Sequence, residues 1–251
     1  MNNGLLIDIE GTLVVSGTPL PGAIEFIDYL NRNGIKYNLI TNTVSKTIEQ
    51  YETIFNEIGF KINKEKIINP IIVLNEYLTK NNVNNYFFIG PDRLKNLLPK
   101  ISENNNPDYI VFCDFENIEL NYELFNKIFY HIRNGAKIVA TSYTDYYASK
   151  NEIKMDTGIF VKMYEMLTKE KAVIIGKPSP IIYEMALNKL GMDRNNVIVI
   201  GDDGFSDIIG GKEAGMKTIL VKTGIYQNGD EEKYQPNKTV NNPMEIIKEI
   251  G

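Results

Sequence analysis

Short apolar runs alternate with amphipathic stretches along the chain, a pattern that predicts strands and helices in turn. GLLIDI (residues 4–9) has the nearly unbroken apolar character of a buried strand. In PLPGAIEFIDYLNRNG (residues 19–34) the apolar side chains repeat at helical spacing, between Pro21 near the start and Gly34 near the end. The chain therefore opens with a strand followed by a helix.

The same alternation predicts the elements that follow. Further strands are expected at residues 35–42, 85–90, 109–114, 136–142, 196–203 and 217–224, with one more directly before Lys177. Further helices are expected at residues 45–59 with Ser45 as N-cap, 91–101, 122–135, from Ser179 to about Leu190, and 206–215. Strands that alternate with helices form right-handed βαβ units and a parallel sheet.

The number of predicted strands exceeds what one compact sheet of this length needs. We therefore predict an α/β protein in which a second, smaller α/β unit at residues 80–172 is inserted into the first. The main unit would then consist of residues 1–79 and 173–251.

Composition limits the classes of function that fit the chain. The 251 residues are 43% hydrophobic and 24% charged, as in an ordinary globular protein, and the formal net charge is −5. This charge predicts no general attraction to nucleic acid or to an anionic membrane surface. His131 and Cys113 are the single histidine and cysteine of the sequence, so a histidine metal cage and an intramolecular disulfide are excluded.

The sequence offers no signal for a membrane or for export. No apolar run approaches the roughly 18 residues that span a bilayer. The N-terminal MNNGLLIDIE lacks a basic segment, and acids interrupt its apolar stretch, so we expect no signal peptide and a cytoplasmic protein.

Acidic residues stand at the ends of two predicted strands that are far apart in sequence. Asp8 ends the first strand, and Asp202 and Asp203 end VIVIGDD. Ligands of open parallel sheets bind beyond the carboxyl ends of the strands, so the two groups can meet at one site. Carboxylates that pack together need a counter-charge, which a hard cation such as Mg²⁺ supplies. The structural alternative is that these residues only cap helices or form turns.

Asp8 and Glu10 lie two residues apart, so their side chains point the same way from an extended segment. One carboxylate can then attack a substrate while the other handles a proton. Gly11, which follows, allows a sharp turn and a close approach to a ligand.

Polar residues also follow two other predicted strands. Thr41 and Asn42 offer a hydroxyl and an amide that suit phosphate oxygens, although an Asn-rich turn with a serine cap explains them equally. Lys177 follows a strand and would neutralise charge among carboxylates, or would simply be solvated. Asp207 could cap a helix or hold Lys177 and the water around a metal, with Ser206 as a competing cap.

Four segments occur in the order of the four motifs of the haloacid dehalogenase-like superfamily: DIEGTL, ITN, GKPSP and GDDGFSD. The sequence resembles that superfamily over its whole length. The long insert between ITN and GKPSP resembles the type 2 cap of the NagD-like phosphatases. Within that group, the sequence looks most similar to the phospholysine phosphohistidine inorganic pyrophosphate phosphatase and its relatives. The implied fold is a Rossmann-like parallel core with an inserted α/β cap.

The resemblance implies a role for each candidate residue. Asp8 would be the nucleophile that forms an aspartyl-phosphate, and Glu10 would be the acid/base, with its backbone carbonyl on Mg²⁺. Thr41 and Asn42 would bind phosphate, and Lys177 would steady Asp8 and the phosphoryl group. Asp8 and Asp202 would also be metal ligands. Asp207 would contact the groups around the metal without binding the metal directly.

Glu10 departs from the family pattern, which usually has Asp at this position. The leading hypothesis is a Mg²⁺-dependent phosphatase of small phosphorylated molecules. One alternative is a phosphate-binding or regulatory protein in which Glu10 prevents efficient turnover. Another is a phosphotransferase or mutase.

The resemblance also bears on substrate and assembly. The cap would set the substrate, with residues 142–160 as its rim. Tyr143, Tyr146 and Tyr147 could stack on a substrate ring, or could belong to the cap core or surface, which we favour. A homodimer formed through the cap is a further expectation from the family.

Overall fold

The computed structural model of the chain describes residues 3–100, 106–115, 118–149 and 152–250, with the backbone alone described at 147–149 and 152. The chain forms two compact units, one made of Met1–Asn69 with Lys177–Gly251 and the other of Pro70–Gly176. The sequence analysis places the insertion at residues 80–172. The observed unit begins earlier because it includes the helix Pro70–Lys80.

The N-terminal part of the first unit contributes five strands and two helices. In chain order these are β1 (Gly4–Asp8), β2 (Val14–Val15), β3 (Thr18–Pro19), α1 (Ala23–Arg32), β4 (Tyr37–Ile40), α2 (Ile48–Glu57) and β5 (Ile67–Ile68). All five residues of β1 are buried, as its apolar run predicts. On α1 the apolar side chains that repeat at helical spacing form the buried face.

The second unit is built around a four-stranded parallel sheet. Its elements are α3 (Pro70–Lys80), β6 (Tyr86–Ile89), α4 (Asp92–Lys95), β7 (Tyr109–Phe112), α5 (Tyr122–Arg133), β8 (Lys137–Ala140), β9 (Tyr146–Ser149), β10 (Glu152–Met155), α6 (Thr157–Thr168) and β11 (Val173–Ile174). The sheet order is β11-β8-β7-β6, and β9 and β10 form a separate antiparallel hairpin. The unit has its own apolar core between this sheet and helices α5 and α6.

The C-terminal part of the chain completes the first unit. Its elements are α7 (Pro180–Leu190), β12 (Val197–Gly201), α8 (Gly210–Glu213), β13 (Lys217–Val221), α9 (Asp230–Tyr234), β14 (Lys238–Val240) and α10 (Ile246–Ile250). A π-helical turn, Gly204–Ile209, precedes α8. The predicted cap and first residue of α7 are confirmed: the Ser179 hydroxyl accepts a hydrogen bond from the backbone N–H of Ile181, and Pro180 begins the helix.

The strand order of the main sheet explains where a site can form. The six strands are parallel in the order β14-β13-β12-β1-β4-β5. The chain moves outward from β1 on one side and then returns to β12 on the other, so the order reverses between β1 and β12. Open parallel sheets bind ligands at this reversal, beyond the carboxyl ends of the strands. Asp8 ends β1 and Asp202 follows the adjacent strand β12 there.

Three predicted details of the helices are wrong. Thr47, and not Ser45, caps α2, because Thr47 and Gln50 form a reciprocal capping box. The helix expected at residues 206–215 begins earlier, as the π-helical turn from Gly204, and its N-cap is Asp203 in place of Ser206 or Asp207. The helix expected at residues 91–101 is helical only at Asp92–Lys95 within the described residues.

Among the described residues, none of the helices combines the length and the apolar character required to cross a bilayer.

Candidate active site

Asp8 occupies the carboxyl end of β1, beside the reversal in strand order. Its side chain is buried, and its Oδ1 accepts a hydrogen bond from the Lys177 ammonium over 2.6 Å. Its Oδ2 is also buried but has no hydrogen-bond partner within the described residues. A buried carboxylate oxygen without a partner is costly, so Asp8 presents an atom that is available to a ligand.

Lys177 lies between two carboxylates. Its Nζ is 2.6 Å from Asp8 Oδ1 and 2.6 Å from Asp207 Oδ1, and its side chain is almost fully buried. Burial alone would lower the pKa of Lys177, but the charges of Asp207 and Asp8 outweigh it and hold that pKa well above its usual value. Lys177 therefore stays charged in the site.

Asn42 fixes the backbone of Lys177. Its Oδ1 accepts a hydrogen bond from the Lys177 N–H over 2.7 Å, and its Nδ2 donates to the Lys177 carbonyl over 2.9 Å. This two-point contact joins residues 135 positions apart in sequence. The sequence analysis assigns Asn42 to phosphate, and the structure leaves one of its N–H donors for that role.

Asp202 follows β12, and hydrogen bonds orient its carboxylate. Its Oδ1 accepts from the Thr12 hydroxyl over 2.9 Å, and its Oδ2 accepts from the backbone N–H of Ile225 over 2.8 Å. Gly11 and Gly224 both have positive φ, and a Cβ on either would overlap the Asp202 carboxylate. Gly11 therefore allows close approach to Asp202, whereas the sequence analysis assigned it to a sharp turn and to close approach to a ligand.

Asp207 lies in the π-helical turn after β12 and is fully buried. Its Oδ1 accepts from Lys177 and its Oδ2 accepts from the backbone N–H of Asp203 over 3.2 Å. Gly201 makes room for it, because a Cβ there would overlap the Asp207 carboxylate. The predicted contact between Asp207 and Lys177 is present.

The three buried acids have raised pKa values. Burial raises the pKa of Asp8 and of Asp207 to about 7, although the Lys177 charge opposes the shift in both. Burial and the Asp207 charge raise the pKa of Asp202 to about 6. Three carboxylates with one ammonium leave an excess of negative charge that a further cation would balance.

Asp8, Asp202 and Asp207 meet the requirements of a hard divalent cation. Each offers a carboxylate oxygen, and these oxygens lie within 4.8 Å of one another in a buried setting. Buried carboxylate oxygens in an anionic cluster are donors of the kind that Mg²⁺ prefers. The donor set therefore fits Mg²⁺, and the predicted ligand roles of Asp8 and Asp202 stay predictions.

Glu10 does not join this acidic cluster. Its carboxylate is half-exposed, and its Oε1 lies 3.6 Å from the Nζ of Lys46. The Lys46 contact was not predicted, since neither the spacing nor the motif indicates it. The predicted metal contact of Glu10 concerns its backbone carbonyl and stays a prediction.

Thr41 lies directly after β4, and β4 is the strand that pairs with β1 on the side opposite β12. Its side chain is buried, and its hydroxyl oxygen accepts a hydrogen bond from the backbone N–H of Thr43 over 3.1 Å. The order of the strands thus places Thr41 at the same edge of the sheet as Asp8.

The predicted substrate rim lies in the second unit and is only partly described. Residues 150 and 151 and the side chain of Tyr147 lie outside the described part. The Tyr143 hydroxyl donates a hydrogen bond to Glu165 Oε2 over 2.6 Å, which favours a structural role for Tyr143. Tyr146 is largely exposed.

Comparisons with known proteins bear on the family and the fold of the chain. A model described as haloacid dehalogenase-like hydrolase matches residues 5–101, and a second, described as HAD-hydrolase-like, matches residues 174–245. The haloacid dehalogenase-like hydrolase domain-containing protein 2 of Homo sapiens is 28% identical over 92% of this chain and 88% of that protein. The acid sugar phosphatase of Staphylococcus saprophyticus is 28% identical over 98% of this chain and 96% of that protein.

Solved structures share the fold along nearly the whole chain. A double mutant of a thermostable NPPase from Geobacillus stearothermophilus is 30% identical, covers 96% of each chain and has a TM-score of 0.85. NagD from Escherichia coli K-12 is 24% identical, covers 97% of each chain and has a TM-score of 0.85, a likeness of fold. The predicted NagD-like architecture is confirmed, and the finer likeness to phospholysine phosphohistidine inorganic pyrophosphate phosphatase stays a prediction. The chain belongs to the haloacid dehalogenase-like hydrolase family.

Proposed function

We propose that the protein is a Mg²⁺-dependent phosphatase that hydrolyses small phosphorylated molecules through an aspartyl-phosphate on Asp8. The observation that carries this proposal is the buried, unpartnered Oδ2 of Asp8, next to a lysine whose ammonium holds the other oxygen. A nucleophile needs one free oxygen and a fixed orientation, and Asp8 has both. The names of the relatives, which include phosphatases, support the same activity.

In the proposed reaction, Asp8 Oδ2 forms a bond to phosphorus while the bond from phosphorus to the leaving oxygen breaks. Glu10 gives that oxygen a proton, so the leaving group departs neutral. Glu10 then takes a proton from water, whose oxygen attacks the aspartyl-phosphate and releases phosphate with Asp8 restored. The chain thereby divides one difficult hydrolysis into two easier steps.

The other residues of the site act on charge and position. Lys177 offsets negative charge on Asp8 and on the phosphoryl group, while Thr41 and the free amide N–H of Asn42 donate to phosphoryl oxygens. Asp8 and Asp202, with Asp207 beside them, would hold Mg²⁺. When bound, Mg²⁺ would further neutralise phosphoryl charge.

The contact between Glu10 and Lys46 favours a second candidate function. A glutamate whose carboxylate lies beside Lys46, outside the acidic cluster, would be a poor proton donor at the phosphoryl group. The protein would then bind phosphate esters or phosphate with little turnover and act as a sensor or regulator. Cytoplasmic location and dimerisation through the second unit stay predictions under either function.

The test compares hydrolysis of 4-nitrophenyl phosphate by the wild type and by Asp8→Asn, each with Mg²⁺ and with a chelator. We expect wild-type turnover that requires Mg²⁺ and no turnover by Asp8→Asn, because an amide cannot attack phosphorus. Asp28→Asn, on α1, is the matched control and should keep wild-type activity. Turnover by Asp8→Asn would exclude Asp8 as nucleophile, and phosphate binding by an inactive wild type would favour the second function.

A further inference from the structure

The turn at residues 223–226 follows β13 and contacts the carboxylate of Asp202. Its backbone is closed by a hydrogen bond from the Tyr226 N–H to the Thr223 carbonyl over 3.0 Å. Within the turn, the backbone N–H of Ile225 donates to Asp202 Oδ2 over 2.8 Å. The turn therefore holds one oxygen of the Asp202 carboxylate.

The segment that follows β1 holds the other oxygen of the same carboxylate. The Thr12 hydroxyl, which is buried, donates to Asp202 Oδ1 over 2.9 Å. The preceding residue, Gly11, is fixed as well, because its N–H donates to the Val14 carbonyl over 2.7 Å. The orientation of Asp202 thus depends on two segments that come from opposite ends of the chain.

Thr223 joins these two segments directly. Its hydroxyl donates to the Gly11 carbonyl over 2.6 Å, across 212 positions of sequence. The segments also touch at Gly224, where a Cβ would overlap both the Cα of Gly11 and the Asp202 carboxylate. The contacts therefore form a closed ring: the two segments hold Asp202 by its two oxygens, and Thr223 holds the segments together.

The surface end of the turn is anchored separately to α9. The Tyr226 hydroxyl and the Lys222 ammonium both donate hydrogen bonds to the Glu231 carboxylate. The turn keeps its place on the surface through these contacts. A change at Thr223 is therefore expected to loosen the contact with Gly11 without unfolding the turn.

We propose that Thr223 is a positioning residue for the metal site: its hydrogen bond to Gly11 fixes the Asp202 carboxylate in the orientation in which it would bind Mg²⁺. A carboxylate whose two oxygens each accept one hydrogen bond keeps further lone pairs for a cation. Partners that orient a metal ligand are commonly worth about 10–100-fold in metal affinity. The inference rests on the Mg²⁺ site of the proposed function and adds to it a residue from the loop after β13.

The experiment removes the Thr223 hydroxyl with Thr223→Val, which keeps the shape of the side chain. The melting temperature of the full chain, measured as a function of Mg²⁺ concentration, gives an apparent Kd for Mg²⁺. We expect Thr223→Val to raise this Kd by roughly tenfold or more. Thr223→Ser keeps the hydroxyl and should bind Mg²⁺ as the wild type does.

Thr218→Val is the matched control. Thr218 is buried on β13, and its hydroxyl oxygen accepts a hydrogen bond from the backbone N–H of Asn237 over 3.4 Å. Removing this hydroxyl should lower the melting temperature of the metal-free protein and leave the Kd for Mg²⁺ unchanged. A rise in Kd in Thr223→Val would then reflect the metal site and not a general loss of stability.

Thr12→Val tests whether Thr223 acts through the segment that follows β1. Alone, Thr12→Val should weaken Mg²⁺ binding, because it removes the donor to Asp202 Oδ1. In that background Thr223→Val should add little further loss, since the segment that Thr223 holds no longer holds Asp202. Additive losses would overturn the inference.

Three other results would also overturn it. These are an unchanged Kd in Thr223→Val, a Thr223→Ser variant that binds Mg²⁺ as weakly as Thr223→Val, and a wild type whose melting temperature does not respond to Mg²⁺. The assay uses no substrate. A wild type that binds Mg²⁺ but hydrolyses no phosphate ester would therefore overturn the proposed function and leave this inference standing.

Discussion

Glu10 is the residue at which the sequence analysis expects a departure from the family pattern, and its surroundings differ from those of the buried acids. The carboxylate lies 3.6 Å from Lys46, and 37% of its side-chain surface is exposed. Such a half-exposed pair contributes little to stability, about 0–1 kcal/mol. The stability gained from the pair therefore does not explain why a glutamate is present. What the contact with Lys46 affects is the position of the Glu10 carboxylate.

The first prediction at the residue scale is that Glu10→Asp speeds turnover of phosphate esters with poor leaving groups. Aspartate is shorter by one methylene, which withdraws the carboxylate from Lys46 and places it nearer the backbone beside Asp8. A misplacement of about 1 Å can cost about a hundredfold in rate, and a positioned acid contributes about 10²–10⁴-fold. The measurement is kcat on an alkyl phosphate and on 4-nitrophenyl phosphate, with a larger gain expected on the alkyl ester.

Glu10→Gln is the matched control for this prediction, because it keeps the shape of glutamate and removes the acid. It should be slower than the wild type on the alkyl ester and less affected on the aryl ester. If Glu10→Asp slows the hydrolysis of both substrates, the site is built around glutamate, and the hypothesis that Glu10 is a poorly placed proton donor is wrong. If Glu10→Gln equals the wild type on both, Glu10 transfers no proton.

At the scale of elements, α2 links the carboxyl end of β4 to the main core. The loop between them carries Thr41, Asn42 and Lys46, and the capping box of Thr47 and Gln50 fixes where α2 begins. A helix N-terminus without a cap leaves several backbone N–H groups without partners. The cap therefore holds both the helix and the loop that precedes it.

We predict that Thr47→Ala lowers the free energy of unfolding by about 1 kcal/mol, the usual cost of losing a side-chain N-cap. The measurement is urea unfolding followed by circular dichroism. Thr53→Ala is the control, since Thr53 is exposed and its hydroxyl donates only to the Glu49 carbonyl one turn earlier. Equal losses in the two variants would show that the capping box does not stabilise α2.

The elements also show what the sequence could and could not reveal. Asp8 and Asp202 are predicted correctly as neighbours, because each ends an unmistakable apolar strand and parallel strands share an edge. The T-x-x-Q spacing of the capping box at Thr47 is visible in the sequence, and the choice of Ser45 overlooked it. By contrast, the two hydrogen bonds between the Asn42 side chain and the Lys177 backbone join residues 135 positions apart in sequence. No local sequence pattern predicts such a contact.

At the scale of the whole molecule, the fold concentrates negative charge where the sheet reverses its strand order. Asp8, Asp202 and Asp207 come from distant parts of the chain, and burial raises the pKa of Asp8 and Asp207 to about 7 and that of Asp202 to about 6. In the unfolded chain the pKa of such groups is about 3.9. Between about pH 4 and pH 7 the folded, metal-free protein therefore binds more protons than the unfolded chain.

This difference in proton binding predicts how pH and Mg²⁺ together control stability. The contribution of the three acids becomes less favourable as the pH rises from about 4 to about 7, so metal-free protein should melt at a higher temperature at about pH 6 than at about pH 8. Mg²⁺ competes with protons for the same oxygens, so it should raise the melting temperature more at pH 8 than at pH 6. Thermal unfolding with chelator and with Mg²⁺ at both pH values measures this, with Asp202→Asn as a variant that should lose most of the Mg²⁺ effect. Equal Mg²⁺ shifts at the two pH values, or a full shift in Asp202→Asn, would show that the metal binds elsewhere.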